Sequence, residues 1–143
     1  MKKFYYLAVI MLTAGLVIQA CGHSEDSAEE DRKLMQGAWA GTVAGMDIEF
    51  TMAVSDNNFD LKAADSITWY KGTFVLNDKV TPKQADFKIS ECGLDEYVGT
   101  TANGLYKIEN DTLTIAACEP GSEIRPADFG ANEMTQVFTF KRK

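Results

Sequence analysis

The fold class this sequence predicts is all-β, a small eight-stranded antiparallel up-and-down barrel, and three observations carry the prediction. Between Gly104 and Cys118, Tyr106 and Ile108 alternate with polar neighbours, as do Leu113, Ile115 and Ala117 after a break at Glu109-Asn110-Asp111. Two period-2 runs across an Asn/Asp turn make a β-hairpin. Met46, Ile48, Phe50, Met52 and Val54 repeat the alternation over a second long run. Finally, no stretch keeps a 3.6 period long enough for a substantial helix. Short strands with one apolar face each, joined by short turns, describe a meander, and closing it removes its edges. An open sandwich is the alternative.

In chain order, Lys2 and Lys3 precede an apolar run from Phe4 to Ile18 that ends at Ile18-Gln19-Ala20-Cys21. A cationic head, a short apolar core and a small residue before the cut predict a secretory signal peptide over 1–20. Only Lys2 and Lys3 of the 14 Lys+Arg leave with it, against 21 Asp+Glu, so residues 21–143 carry a net charge of −9. Such a surface repels phosphate backbones, and nucleic acid is not an expected partner. Residues 21–33, beginning CGHSEDSAEED, read as an acidic flexible tether, and 34–143 as a single barrel domain. One short helical turn fits at Asp31 to Gln36, or at Asp128 to Glu133.

Eight strands are expected near 37–44, 47–54, 58–63, 67–76, 84–91, 101–109, 112–118 and 135–142. The breaks between them hold turn chemistry, such as Ser55-Asp56-Asn57-Asn58 and Ala64-Asp65-Ser66. In the 104–118 hairpin, a loop at Asn110-Asp111 sets Ile108 opposite Leu113 and Tyr106 opposite Ile115. A loop at Glu109-Asn110 sets Tyr106 opposite Leu113 and keeps the same inward face. Trp69 breaks parity with Phe74 and Leu76, which a bulge near Lys71-Gly72 reconciles.

The sole histidine, His23, lies in the tether, so the barrel lacks an imidazole for a nucleophile–base pair or a typical zinc site. Carboxylates fall on polar strand faces (Asp47, Glu49) or in turns (Asp111). Asp56-Asn57-Asn58-Asp60 lacks the glycine and distal glutamate of a calcium loop and reads as a turn. No enzyme, metal or cofactor is expected. Asp26-Ser27-Ala28, Asp65-Ser66-Ile67 and Asp111-Thr112-Leu113 fit a short O-glycosylation pattern, of which only the tether copy is accessible. An eight-stranded barrel is near the size where side chains either fill it or leave room for one small ligand. A small apolar cavity at one mouth is therefore a candidate site, with Trp39, Phe50, Met52, Phe74, Tyr106, Ile115 and Phe138 as its candidate lining. The long connection from Glu119 to Met134 carries Pro120, Gly121, Arg125 and Pro126. Either Arg125, paired to an acid, orders a rim over one mouth, or the prolines and glycine only fix a crossover. Export to an oxidising compartment would leave Cys92 and Cys118 as the two thiols outside the tether, a candidate disulfide over the rim. The intervening 101–109 strand opposes it, because two inter-strand steps of roughly 5 Å exceed disulfide reach. Two free, partly buried thiols are the alternative.

Several segments resemble known families. Ile18-Gln19-Ala20-Cys21 resembles a bacterial lipobox, apart from Gln19. That likeness implies a thioether lipid on Cys21, acylation (palmitate-type) of the new amino terminus and anchorage to a membrane of the cell envelope. The acidic run after it resembles the export signal of surface-displayed outer-membrane lipoproteins, with a plain spacer as the alternative. Gly37-Ala38-Trp39 with Arg142 resembles the Gly-x-Trp and its packing cation in lipocalin-like barrels. Gly72-Thr73-Phe74, Thr81-Pro82-Lys83 with Asp86, Gly104-Leu105-Tyr106, Asp111-Thr112-Leu113, Glu119-Pro120-Gly121, Arg125-Pro126 and Phe129 follow the order of an uncharacterised lipocalin-like family first described from Planctomycetes. That resemblance implies a small barrel without an established activity. The leading expectation is a lipid-anchored barrel that binds a small apolar or amphipathic molecule. The alternative is an acidic module for a basic protein partner. In charge and setting it looks like periplasmic inhibitors of cationic lysozymes or an envelope assembly or stress factor, though it carries none of their motifs.

Overall fold

The computed structural model describes residues 26–143. The expected signal peptide, Cys21 and the start of the expected tether lie outside them. Eight strands follow one helix: α1 (Asp26–Met35), β1 (Gly37–Val43), β2 (Glu49–Ser55), β3 (Asn58–Ala63), β4 (Trp69–Asn77), β5 (Gln84–Cys92), β6 (Thr101–Glu109), β7 (Thr112–Cys118) and β8 (Thr135–Arg142). All pairings are antiparallel, neighbours in sequence pair in space, and β8 returns to β1 to close the barrel. The up-and-down barrel expected from the alternation is the observed fold, and four of the eight strands begin and end where the sequence places them.

Hairpin chemistry sets the register. Asn110 takes the left-handed conformation at φ 56°, so the two-residue turn is Asn110-Asp111. Ile108 then faces Leu113, and Tyr106 faces Ile115. A register shift falls between Lys71 and Gly72, where a bulge was expected, but its extra residue is Ser90 on β5, so it does not bring Trp69 into phase with Phe74 and Leu76. Backbones approach closely there: a Cβ on Gly72 would lie 1.8 Å from the Lys88 carbonyl oxygen. Tyr70, Gly72, Phe74 and Leu76 consequently share the inward phase, and Trp69 faces outward.

The bulge also corrects the expected position of Cys92. Counted from Lys88, Cys92 belongs to the polar face, but the extra residue shifts its parity, and it joins the buried core. Cys118 keeps its outward phase and is buried against Thr135, with 3.9 Å between Sγ and Oγ1. Both thiols are free. The disulfide is absent because β6 stands between the two strands and the thiols lie on opposite faces of the wall.

A second correction concerns the tether. Its part from Asp26 onward is helical and belongs to the domain, so the folded unit begins before residue 34. Helix α1 lies across one end of the barrel. Met35 is fully buried, and Trp39 donates from Nε1 to the Met35 carbonyl at 2.8 Å. Asp31 is buried there and accepts from Tyr106 Oη and Lys83 Nζ, each at 2.7 Å. Gln36 exchanges two hydrogen bonds with the backbone of Asp56, tying the end of α1 to the β2–β3 turn. As the Gly-x-Trp likeness implies, Arg142 lies over the Trp39 ring at 4.3 Å, and it donates to the carbonyls of Leu34 and Gln36. This end is closed.

Candidate ligand-binding cavity

Alternation sends the inward phase of all eight strands into one core, and its aromatic members pack edge to face. Phe50 meets Phe138 at 5.4 Å, and Phe59 meets Phe87 at 5.5 Å. The packing is denser toward α1, where the largest side chains gather. Away from α1 the inward residues are smaller or partly exposed, among them Leu61, Ala102 and Ala117, and the interior opens. The cavity there measures about 80 Å³ and is walled by Met52, Leu61, Ile89, Ile115, Phe138 and their neighbours. Tyr70, Gln136, Glu119 and Pro120 stand at its entrance. Its wall is almost wholly apolar, which favours a dry site for an apolar group.

Three of the seven expected lining residues, Met52, Ile115 and Phe138, touch the cavity. Trp39, Phe50, Phe74 and Tyr106 are buried as expected but belong to the packed core. Helix α1 accounts for Trp39 and Tyr106, since it fills the end of the barrel that the sequence left open. Phe50 is screened behind Phe138, and Phe74 packs on Phe87 at 6.3 Å. Sequence reasoning missed Tyr70, Ala102, Ala117 and Gln136. Their signal was position, because each lies inward near the end of a strand at the open mouth.

The loops shape the entrance. The short 3-10 turn Asp95–Tyr97 places Tyr97 beside Tyr70, with ring centroids 6.4 Å apart. Tyr97 Oη donates a short hydrogen bond to Glu119 Oε1, linking the β5–β6 and β7–β8 loops over the end of β6. That bond, then slight burial and the carboxylate's charge, pushes the Tyr97 phenol up to about 12. Burial raises Tyr70 as well, helped by the charges of Cys92 and Glu119. Both phenols are therefore neutral at ordinary pH, beside an acid that accepts.

The β7–β8 connection does not arch over the mouth from Arg125. Arg125 pairs with Asp86 at 2.7 Å and donates to the Gly104 carbonyl at 2.9 Å, both on the outer wall. Phe129 covers a second small apolar cluster there, formed by Leu105, Ala116 and Val137, with Lys107 Nζ 4.7 Å above its ring. Of the four expected rim residues, only Pro120 reaches the cavity. Pro126 is buried, and Gly121 uses its positive φ of 90° to turn the chain back along the wall. Among the described residues, no three His, Cys, Asp or Glu side chains converge into a metal-binding group. Comparison with known proteins finds no matching family model, no matching curated protein and no matching solved structure, so the site is defined by its own geometry.

Proposed function

We propose that this barrel binds a small apolar or amphipathic molecule in its open-ended cavity, as an extracytoplasmic protein held to the envelope by a lipid on Cys21. The observation that carries the binding reading is the asymmetry of the barrel. One end is sealed by α1, Trp39 and Arg142, while the other leaves an apolar cavity of about 80 Å³ connected to solvent. A core serving stability alone gains by filling such space, since unfilled volume forfeits packing contacts. An engineered cavity of about 150 Å³ admits benzene, so this site suits a short chain or part of a larger molecule.

The test is titration of the full chain with hexanol, followed through the methyl resonances of Met52, Ile89 and Ile115. Shifts confined to these methyls, and lost in Ala117→Phe, are expected. Shifts spread over the surface, or unchanged in Ala117→Phe, would overturn the reading. Anchorage is tested separately: Cys21→Ser abolishes metabolic labelling by a palmitate analogue, and unchanged labelling refutes it.

A further inference from the structure

The cavity itself is apolar, but the ground around its entrance is strongly negative. At that end the loops 44–48, 64–68 and 93–100 and the start of the 119–134 connection carry Asp47, Asp65, Asp95, Glu96 and Glu119 and no cation. Beyond Gly121 that connection runs back along the outer wall, so Glu123, Arg125 and Asp128 stand away from the mouth. The opposite end has no such bias, because Lys83, Arg142 and Lys143 are interspersed with Asp31, Asp78 and Asp111. Charge of one sign around a low-dielectric cleft concentrates ligands of the opposite sign and excludes those of the same sign.

Local chemistry at the entrance points the same way. Glu119 stands at the mouth with Oε1 held by Tyr97, and Oε2 has no protein partner among the described residues. Two phenol rings, Tyr70 and Tyr97, lie beside this carboxylate with a tilt of 39° between them. Aromatic rings with a nearby carboxylate are the groups that recognise an ammonium head. An alcohol gains little from them, and a carboxylate is repelled. Moreover, Leu94 and Val98 are exposed on the loop that carries Tyr97, so apolar surface continues outward from the cavity.

We propose that the ligand is a cationic amphiphile, an amine or quaternary ammonium on a short apolar chain. Its chain enters the cavity between Met52, Ile89 and Ile115. Its head rests between Glu119 and the rings of Tyr70 and Tyr97. This deepens the reading of the cavity as a ligand site and depends on it.

Three probes with one tail separate the two ideas: hexylamine, hexanol and hexanoate, each titrated calorimetrically into the full chain at low and high salt. The expected order of affinity is amine, alcohol, carboxylate. The amine should lead the alcohol by roughly two- to thirtyfold, as cation–aromatic contacts allow. Added salt should narrow the gap. Glu119→Gln, an exposed and nearly isosteric change, should bring the ratio of amine to alcohol affinity close to one, and Tyr97→Phe should lower it less because the ring remains. Equal binding of amine and alcohol, or a gap that survives Glu119→Gln, overturns the cationic head and leaves the cavity reading standing. Failure of all three probes, hexanol included, removes both.

Discussion

Tyr106 on β6 donates its hydroxyl to the carboxylate of Asp31 on α1 at 2.7 Å, joining residues 75 positions apart. Lys83 Nζ reaches the same oxygen at 2.7 Å and lies 6.0 Å from the Tyr106 ring centroid. One carboxylate thus fastens the helix to two strands. Asp31→Ala strands a buried hydroxyl and an ammonium at once, and should cost about 1–3 kcal/mol. Tyr106→Phe leaves Asp31 with Lys83 and should cost about 1 kcal/mol. Chemical denaturation of each variant measures the order, and a larger loss for Tyr106→Phe would show that the helix does not depend on Asp31.

Alkaline pH should weaken the same contact. Burial first, and the hydrogen bond to Asp31 second, raise the Tyr106 phenol well above its ordinary value of 10. The fold favours the neutral phenol, so its contribution is complete below the unfolded value. It fades as pH rises from about 10 toward the folded value. Stability measured across this alkaline range should fall, and Tyr106→Phe should make the slope shallower. An identical slope in the variant would assign the loss elsewhere.

Interior packing predicts a sharp contrast on β2. Phe50 is 4% exposed and meets Phe138 edge to face. Phe50→Ala should therefore cost about 3–5 kcal/mol. Its exposed neighbour Glu49 points the other way, and Glu49→Ala should stay within about 0.5 kcal/mol. Denaturant midpoints decide between this ranking and its inverse.

At the bulge, Gly72 has no room for a side chain. Its Cβ would fall 1.8 Å from a backbone oxygen that a rotamer change cannot move. Gly72→Ala should cost about 1–3 kcal/mol or more and perturb amide shifts of Lys88 and Ile89. Wild-type stability in this variant would mean that β4 and β5 separate easily there.

The thiols give a further check. Cys92 Sγ lies 2.8 Å from the Leu94 carbonyl oxygen, and Cys118 is buried beside Thr135. In the folded chain both should alkylate slowly. In denaturant without reductant, Cys92 and Cys118 should each take one alkyl group, read by peptide mass mapping. Labelling of neither residue until reductant is added would show that they are bridged.

The strands were legible because alternation is a local property: each inward residue declares itself relative to its neighbours. The broken parity at Trp69 locates the Lys71-Gly72 irregularity correctly, but on the wrong strand: its extra residue is Ser90 on β5, and Trp69 keeps its outward parity. Helix α1 was not legible. Asp26 to Lys33 reads as a solvated acidic run, and the partners of Asp31 lie 52 and 75 positions away. No local pattern shows that a charged residue will be buried by such partners. The candidate site divides in the same way. Met52, Ile115 and Phe138 follow from phase, whereas the occupants of each barrel end depend on which end the helix covers. Of the two readings of the long connection, the one that paired Arg125 with an acid over the mouth fails on place, because its partner Asp86 draws it to the outer wall.

The strand order carries a consequence for how the cylinder fails. Seven pairings join strands adjacent in the chain, and only the β1–β8 pairing spans the whole domain. Closing so long a loop costs more entropy than closing any of the hairpins, which makes this seam the weakest line of the wall. Arg142 is its latch, since the β8 residue crosses to Trp39, Leu34 and Gln36 on the other side. Arg142→Ala should let the amides of β1 and β8 exchange with solvent before those of β4 and β5. An unlatched seam bares two strand edges to neighbouring molecules. The cation that packs the tryptophan therefore also protects the chain against edge-to-edge polymerisation.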